Sequence, residues 1–311
     1  CFERLNGVHC RRLDRMDRNG KHSVLVDEQV FQTMETSVES IDGASIFVRY
    51  TVPENPRGVV LFIHGYGDHS GRYRHVLKFL HDSGFAAVAP DHRGHGKSAE
   101  LMGYVERLDA IVDDLFLLRE LAAKRFPEVP VFLMGHSMGG LLAILHMQRY
   151  QVGIAGAILM APAVLVPKDI PGFMVALSGF FSFLTPKLPV QPFFDVSKAT
   201  RLPEVQEDLR KDPLVYKGRI RARTGYEMLR GMRRALAGLH RITVPILLLH
   251  GGDDMRVAPE ATDLVFEGIS SPDKEKHVFP EAYHELMHDP DTDHVLGVFR
   301  QWLERRDALN G

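Results

Sequence analysis

The stretch Val131-Phe132-Leu133-Met134-Gly135-His136-Ser137-Met138-Gly139-Gly140-Leu141-Leu142-Ala143-Ile144-Leu145 decides how the rest of the chain is read. Four apolar residues in a row, closed by a glycine, have the signature of a strand buried on both faces. The apolar run after Gly140 reads as a helix. Between the two lies the pattern G-x-S-x-G, from Gly135 to Gly139. Glycines flanking the serine let the backbone turn sharply and leave open space above it, so the Ser137 hydroxyl projects beyond the end of a sheet. The bare pattern arises often by chance; its place between strand and helix gives it meaning.

Outward from this point the same rhythm repeats. Short apolar runs at residues 59–63, 86–89, 157–160, 246–249 and, more weakly, 276–279 alternate with longer amphipathic segments. This is the pattern of an α/β fold, a mostly parallel central sheet with crossover helices on both faces. The clearest helix lies near 106–126, where Val112, Leu115, Leu118 and Ala122 recur every three or four residues before Pro127. Two short apolar runs around residues 31–52, separated by Asp42-Gly43, predict an opening hairpin.

The rhythm breaks between about residues 164 and 242, where six prolines fall between Pro167 and Pro203. A segment this long is not a crossover loop and predicts an inserted lid or cap. Its first half contains the most apolar stretch of the chain, residues 173–184; at twelve residues it is too short to cross a bilayer, so it packs on the core or meets lipid. From Arg201 to Arg241 eleven basic residues stand against five acidic ones. Residues 1–30 are mixed and locally basic, with no period, and read as a solvated N-terminal extension. The expected organisation is therefore an extension over 1–30 and one domain over 31–311 that carries the insertion.

Composition narrows the function classes. The 311 residues are 45% apolar and 25% charged, as in an ordinary globular domain with a sizeable core. With 38 basic and 40 acidic side chains the net charge is −2, which supplies no field to hold a nucleic acid. The two cysteines, Cys1 and Cys10, both precede the fold, so its body has neither disulfide nor thiolate metal site, in keeping with a reducing compartment. The first thirty residues lack the apolar core of a signal peptide, although the chain opens on Cys1 rather than Met and leaves the true start open. No run reaches the ~20 apolar residues of a membrane span. A cytoplasmic protein, or one lying on a membrane surface, is expected.

A serine nucleophile needs a base to take its proton and a carboxylate to orient that base. In a strand-turn-helix setting the expected chain order is Ser, then Asp or Glu, then His. After Ser137, Asp253 and Asp254 follow the apolar run 246–249 through Gly251-Gly252, and either could occupy a loop at the carboxyl end of a strand; Asp254 is preferred. His284 follows the weak strand and Pro280-Glu281-Ala282-Tyr283. An oxyanion needs two convergent N–H groups, one after the nucleophile, at Met138, and one from a turn after an earlier strand. His64-Gly65-Tyr66-Gly67 follows the run 59–63 and offers the Tyr66 N–H.

These residues resemble the monoacylglycerol lipase and lysophospholipase-like serine hydrolases of the α/β-hydrolase fold, from about residue 40 to the end. The resemblance rests on residues 64–73 (HGYGDHSGRY), 91–98 (DHRGHGKS), 135–140 (GHSMGG), 244–254 (VPILLLHGGDD) and Tyr283-His284. It implies a nucleophile at Ser137, a triad acid at Asp254 rather than Asp253, a base at His284 and oxyanion amides at Tyr66 and Met138. It also implies a polar pocket for a glycerol head formed by Asp68 and Arg72, an apolar lid that docks on membranes, and a lipid ester as substrate with no cofactor or metal. Oligomeric state is not implied. The chain departs from the animal lipases of the family at Met287, where they carry a histidine three positions after the base, with His288 next; and Tyr66 is larger than the usual residue there.

Rival readings are weaker. His284-Glu285-Leu286-Met287-His288 matches the zinc pattern H-E-x-x-H, but that site needs a continuous helix, and Asp289-Pro290 follows at once. A hydrolase fold kept only for binding would not need all three triad groups. Serine at position 137, where epoxide hydrolases and dehalogenases of this fold carry Asp, speaks against those reactions. A carboxylesterase acting on small soluble or aromatic esters under a tighter lid is the main alternative.

Overall fold

The computed structural model describes residues 31–166, 170–191 and 195–307. The expected N-terminal extension, with Cys1 and Cys10, lies outside them. The chain divides into two units at Gln32, and all elements below belong to the second, Thr33–Gly311.

In chain order the elements are β1 (Met34–Glu39), β2 (Ser45–Thr51), β3 (Gly58–Ile63), α1 (Arg74–Asp82), β4 (Phe85–Pro90), α2 (Leu108–Arg125), β5 (Val131–His136), α3 (Met138–Tyr150), β6 (Gly156–Met160), α4 (Gly172–Leu184), β7 (Pro189–Gln191), α5 (Pro203–Lys211), β8 (Ile220–Arg221), α6 (Ala222–Gly238), β9 (Ile246–Gly251), α7 (Glu260–Gly268), β10 (Lys274–Phe279) and α8 (Thr292–Asp307). Eight strands form one sheet in the order β1-β2-β4-β3-β5-β6-β9-β10. The β1–β2 hairpin turns at Asp42-Gly43 as expected and joins β4 antiparallel; every pairing from β4 through β3 to β10 is parallel. The fold is therefore the α/β class that the apolar runs predict.

Successive side chains along a strand point to opposite faces. Leu61, Ile63, Leu133, Leu159 and Leu248 join one apolar core with Leu115 and Leu118 of α2, Leu141 and Leu145 of α3, and Met232 and Ala235 of α6. On the opposite face Phe62 lies against Tyr73, and Phe132 lies between Phe85 and Trp302 of α8. Helices on both faces explain why β3, β5, β6 and β9 are buried throughout and read as unbroken apolar runs.

Between β6 and β9 the chain runs through α4, the β7–β8 pair, α5 and α6. Helix α4 is a thirteen-residue segment without a charged residue. It packs on α6 but leaves Phe173, Phe180, Phe183 and Leu184 at 60–88% exposure. Helix α6 is amphipathic. Its Arg230 and Arg234 bond Asp109 of α2, so basic residues that look unpartnered in the sequence fasten it to the body of the fold.

Candidate active site

The carboxyl ends of β3, β5, β9 and β10 converge, and the loops leaving them carry the residues singled out above. Ser137 stands between β5 and α3 with φ 56° and ψ −117°, a left-handed conformation rarely tolerated by a non-glycine residue and costing about 1–3 kcal/mol. The turn holds that strain with three backbone bonds: the Ser137 N–H donates to the Met160 carbonyl at 2.9 Å, and the Ser137 carbonyl accepts the N–H groups of Leu141 and Ala163, both at 3.1 Å. The glycines meet a steric need. A Cβ on Gly139 would lie 1.9 Å from the Ile63 carbonyl oxygen, and one on Gly135 2.4 Å from that of Gly139. Strand β5, the turn and β3 can approach this closely only without side chains.

His284 follows β10, and its Nδ1–H donates to Asp254 Oδ2 at 2.7 Å. Asp254 is buried, whereas Asp253 is exposed, so the structure brings Asp254 to the histidine. The Asp254 Oδ1 accepts the N–H groups of Arg256 and Val257 at 2.8 and 3.0 Å, and His250 Nε2 approaches Oδ2 at 3.2 Å. Burial opposes ionisation of Asp254, but attraction to His284 and hydrogen bonds from His250 and His284 outweigh it and hold the carboxyl well below its usual range. An ionised Asp254 fixes the tautomer that leaves the His284 Nε2 able to accept a proton. His136, the residue before the serine, donates its Nε2–H to the His284 carbonyl at 3.0 Å. Burial, reinforced by the neighbouring His284, lowers its pKa to about 3 and keeps it a neutral donor.

Ser137 also touches the loop after β3, where a Cβ on Gly65 would lie 3.2 Å from the Ser137 Cβ. Met138 opens α3, so its N–H belongs to the first turn, whose donors have no partner within the helix. The loop's shape is set from beneath. His64 Nδ1–H donates to the Gly65 carbonyl at 2.8 Å, and its Nε2 accepts the His92 N–H at 3.0 Å. The Tyr66 side chain is buried, its hydroxyl donating to the Gly103 carbonyl at 2.9 Å.

Asp68 and Arg72 meet in an ion pair of 2.8 Å. The structure adds a partner that the sequence reading did not supply, since Arg72 also bonds Glu285 at 2.6 Å. Asp68 further accepts the Tyr73 hydroxyl at 2.6 Å and the His69 N–H at 2.8 Å. Burial raises the cost of both carboxylates, yet Arg72 keeps each below its ordinary range, while the two carboxylates hold Arg72 above its own. Glu285 was visible only as the middle of H-E-x-x-H. That segment is not one helix: residues 286–288 form a single 3-10 turn, and His288 donates Nε2–H to the Arg72 carbonyl at 3.0 Å. His284 and His288 thus lack the shared helical face that zinc would need.

Two cavities open at these residues. The larger, about 1000 Å³, is lined by Ser137, His284 and Asp254 and is walled by α4 and α6 through Met174, Leu177, Phe181, Met228 and Leu229. The other is a recess of about 30 Å³ between Ser137, His284, Asp68, Arg72, Glu285 and Arg256. Apolar cavity and polar recess therefore share the serine. Arg256, which borders both, was not singled out in the sequence; only its place two residues after Asp254 could have drawn attention to it.

Residues 54–291 match the family described as "Serine aminopeptidase, S33". The chain is 32% identical over 278 residues to a monoacylglycerol lipase of Mycolicibacterium smegmatis, covering 86% of this chain and 96% of that one. It is 32% identical over 274 residues to the monoglyceride lipase of Homo sapiens, covering 87% and 90%. The crystal structure of a Paleococcus ferrophilus monoacylglycerol lipase superimposes with a TM-score of 0.76 at 30% identity, covering 84% of this chain and 99% of that one. The chain therefore belongs to the monoacylglycerol lipase-like serine hydrolases of the serine aminopeptidase S33 family, enzymes of the α/β-hydrolase fold that hydrolyse carboxylic esters.

Proposed function

We propose that the protein hydrolyses the ester bond of a monoacylglycerol or lysophospholipid, with Ser137 as nucleophile, His284 as base and Asp254 as triad acid. One observation carries this reading: a cavity of about 1000 Å³ with a largely apolar wall and a small polar recess share Ser137 and His284. The first suits an acyl chain and the second a small hydroxylated head, so the ester bond between them falls at the serine. The recess offers both donors and acceptors, Arg72 between Asp68 and Glu285, as a polyol requires.

In the first step His284 takes the Ser137 proton as the oxygen attacks the carbonyl carbon, and Asp254 stabilises the imidazolium. The Tyr66 and Met138 N–H groups receive the oxyanion. His284 then protonates the departing alcohol in the recess. Water, deprotonated by His284, attacks the acyl-enzyme, and collapse returns the proton to Ser137 and frees the fatty acid. No step calls for a metal or organic cofactor. The exposed apolar face of α4 supports contact with the surface of a membrane, from which a single-chain lipid would enter the cavity that α4 walls.

Fatty-acid release from monooleoylglycerol, lysophosphatidylcholine and p-nitrophenyl acetate, by wild type and Ser137→Ala, tests the reading. The expected result is a preference for a long-chain lipid, lost by at least about a thousandfold in the variant. Wild-type turnover by Ser137→Ala would remove the nucleophile assignment. Activity confined to the short ester would favour the small-ester alternative.

A further inference from the structure

Residues 195–216 are bonded to three of the loops that carry the candidate site residues. Arg256, two residues beyond Asp254, donates to the Asp195 carbonyl at 2.7 Å. Tyr216 donates its N–H to the Gly67 carbonyl at 2.8 Å, and Asp212 pairs with His69 at 2.9 Å, both on the loop after β3. The loop that carries His284 is held most heavily. The Glu285 N–H donates to the Ala199 carbonyl at 2.8 Å, and the Thr200 hydroxyl donates to the His288 carbonyl at 2.5 Å. Next in line, the Arg201 guanidinium bonds Asp289 through two nitrogens, Nε at 2.9 Å, and also reaches Asp291 at 2.7 Å. The Arg201 N–H adds a contact to Asp289 at 3.2 Å. The Asp289 side chain is fully buried, whereas that of Arg201 keeps 24% of its surface.

Val196, Ala199, Leu209 and Val215 of the same segment form their own small apolar cluster. The segment 195–216 is thus built as a bracket across the active-site loops, distinct from the exposed helix α4 that precedes it. We propose that Arg201 is a positioning residue for His284, acting through Asp289 to fix the loop on which the base rides. The assignment rests on the reading of His284 as base. A guanidinium suits the task because its Nε and one terminal nitrogen converge on a single oxygen, Asp289 Oδ1, while the backbone N–H takes the other oxygen, so orientation is fixed as well as distance, which a point charge cannot do. A base displaced by about 1 Å from a nucleophile can cost about a hundredfold in rate, so a clamp on its loop has kinetic weight without touching substrate.

The test compares Arg201→Ala and Arg201→Lys with wild type on a water-soluble ester, with millimolar guanidinium added in a parallel series. The low-field proton resonance of the His284–Asp254 hydrogen bond is recorded for each protein. Expected for Arg201→Ala are a kcat lowered about ten- to a hundredfold with KM within about twofold, a broadened or lost low-field resonance, and partial recovery of both by guanidinium. Arg201→Lys should fall between. An Arg201→Ala protein with wild-type kcat overturns the proposal, as does a loss of kcat that neither lysine nor guanidinium restores and that follows the loss of folded protein. Ser137→Ala and Asp254→Asn run alongside keep the two readings apart. If they are inactive while Arg201→Ala is not impaired, only the clamp fails; if they remain active, the triad itself fails.

Discussion

Asp253 and Asp254 are chemically identical neighbours, and their separation is a matter of orientation. Asp254 points inward to His284 and two backbone N–H groups, whereas Asp253 faces solvent. Asp254→Asn is expected to lower kcat by about 10⁴-fold, because the amide stabilises the wrong histidine tautomer, and Asp253→Asn by less than about threefold. Steady-state turnover of both variants decides it, and the reverse ranking would exchange the roles. At this scale the sequence displays whatever is local. Ser137, Asp254 and His284 each follow a recognisable strand, so their candidacy could be read. Glu285 could not be read the same way, because its partner Arg72 lies 213 positions away and an acid beside a histidine has no meaning until that arginine arrives. Arg201 is hidden likewise, one basic residue among eleven until Asp289 is placed beside it.

Among the elements, the strands were legible because burial on both faces leaves no polar position to interrupt them. The segment after β6 was legible only as a break in rhythm. Its charges mask the contribution of α6 to the core, which becomes visible once Arg230 and Arg234 are paired with Asp109. Helix α4 poses the opposite case: its composition shows at once, yet only the structure divides it into an inner wall, with Met174, Leu177 and Phe181 at the cavity, and an outer face. Phe180 and Phe183 belong to the outer face, at 60% and 88% exposure. Replacing both with serine should weaken cosedimentation with phosphatidylcholine vesicles by at least about tenfold, since each phenyl ring buried in lipid contributes about 2 kcal/mol. Hydrolysis of a water-soluble ester should change little. Undiminished vesicle binding would show that α4 is not the docking face.

Several histidines among the described residues are buried and held neutral. Burial, the largest cause in each case, lowers His146 to about 4 and His95 and His136 to about 3. In the unfolded chain each titrates near 6.5. Below that pH the unfolded state takes up protons that the folded state refuses, so stability is complete above about 6.5 and falls as the pH drops toward 4. On the order of 1–2 kcal/mol per histidine is at stake by pH 5. The urea midpoint should therefore drop steeply between pH 7 and pH 5; a flat midpoint would mean that these rings are solvated or charged in the folded state. The parallel sheet has a further consequence, in time rather than in energy. His284 contacts His136 across 148 positions of sequence, and β10, the strand before it, stands at the end of the sheet beside β9. Contacts of such span form late, and a chain emerging from the ribosome folds from its N-terminal side. The serine turn would then be in place well before the loop of His284 arrives, and a growing chain that already displays the apolar face of α4 would lack the complete set of site residues until β10 and the loop after it have been made.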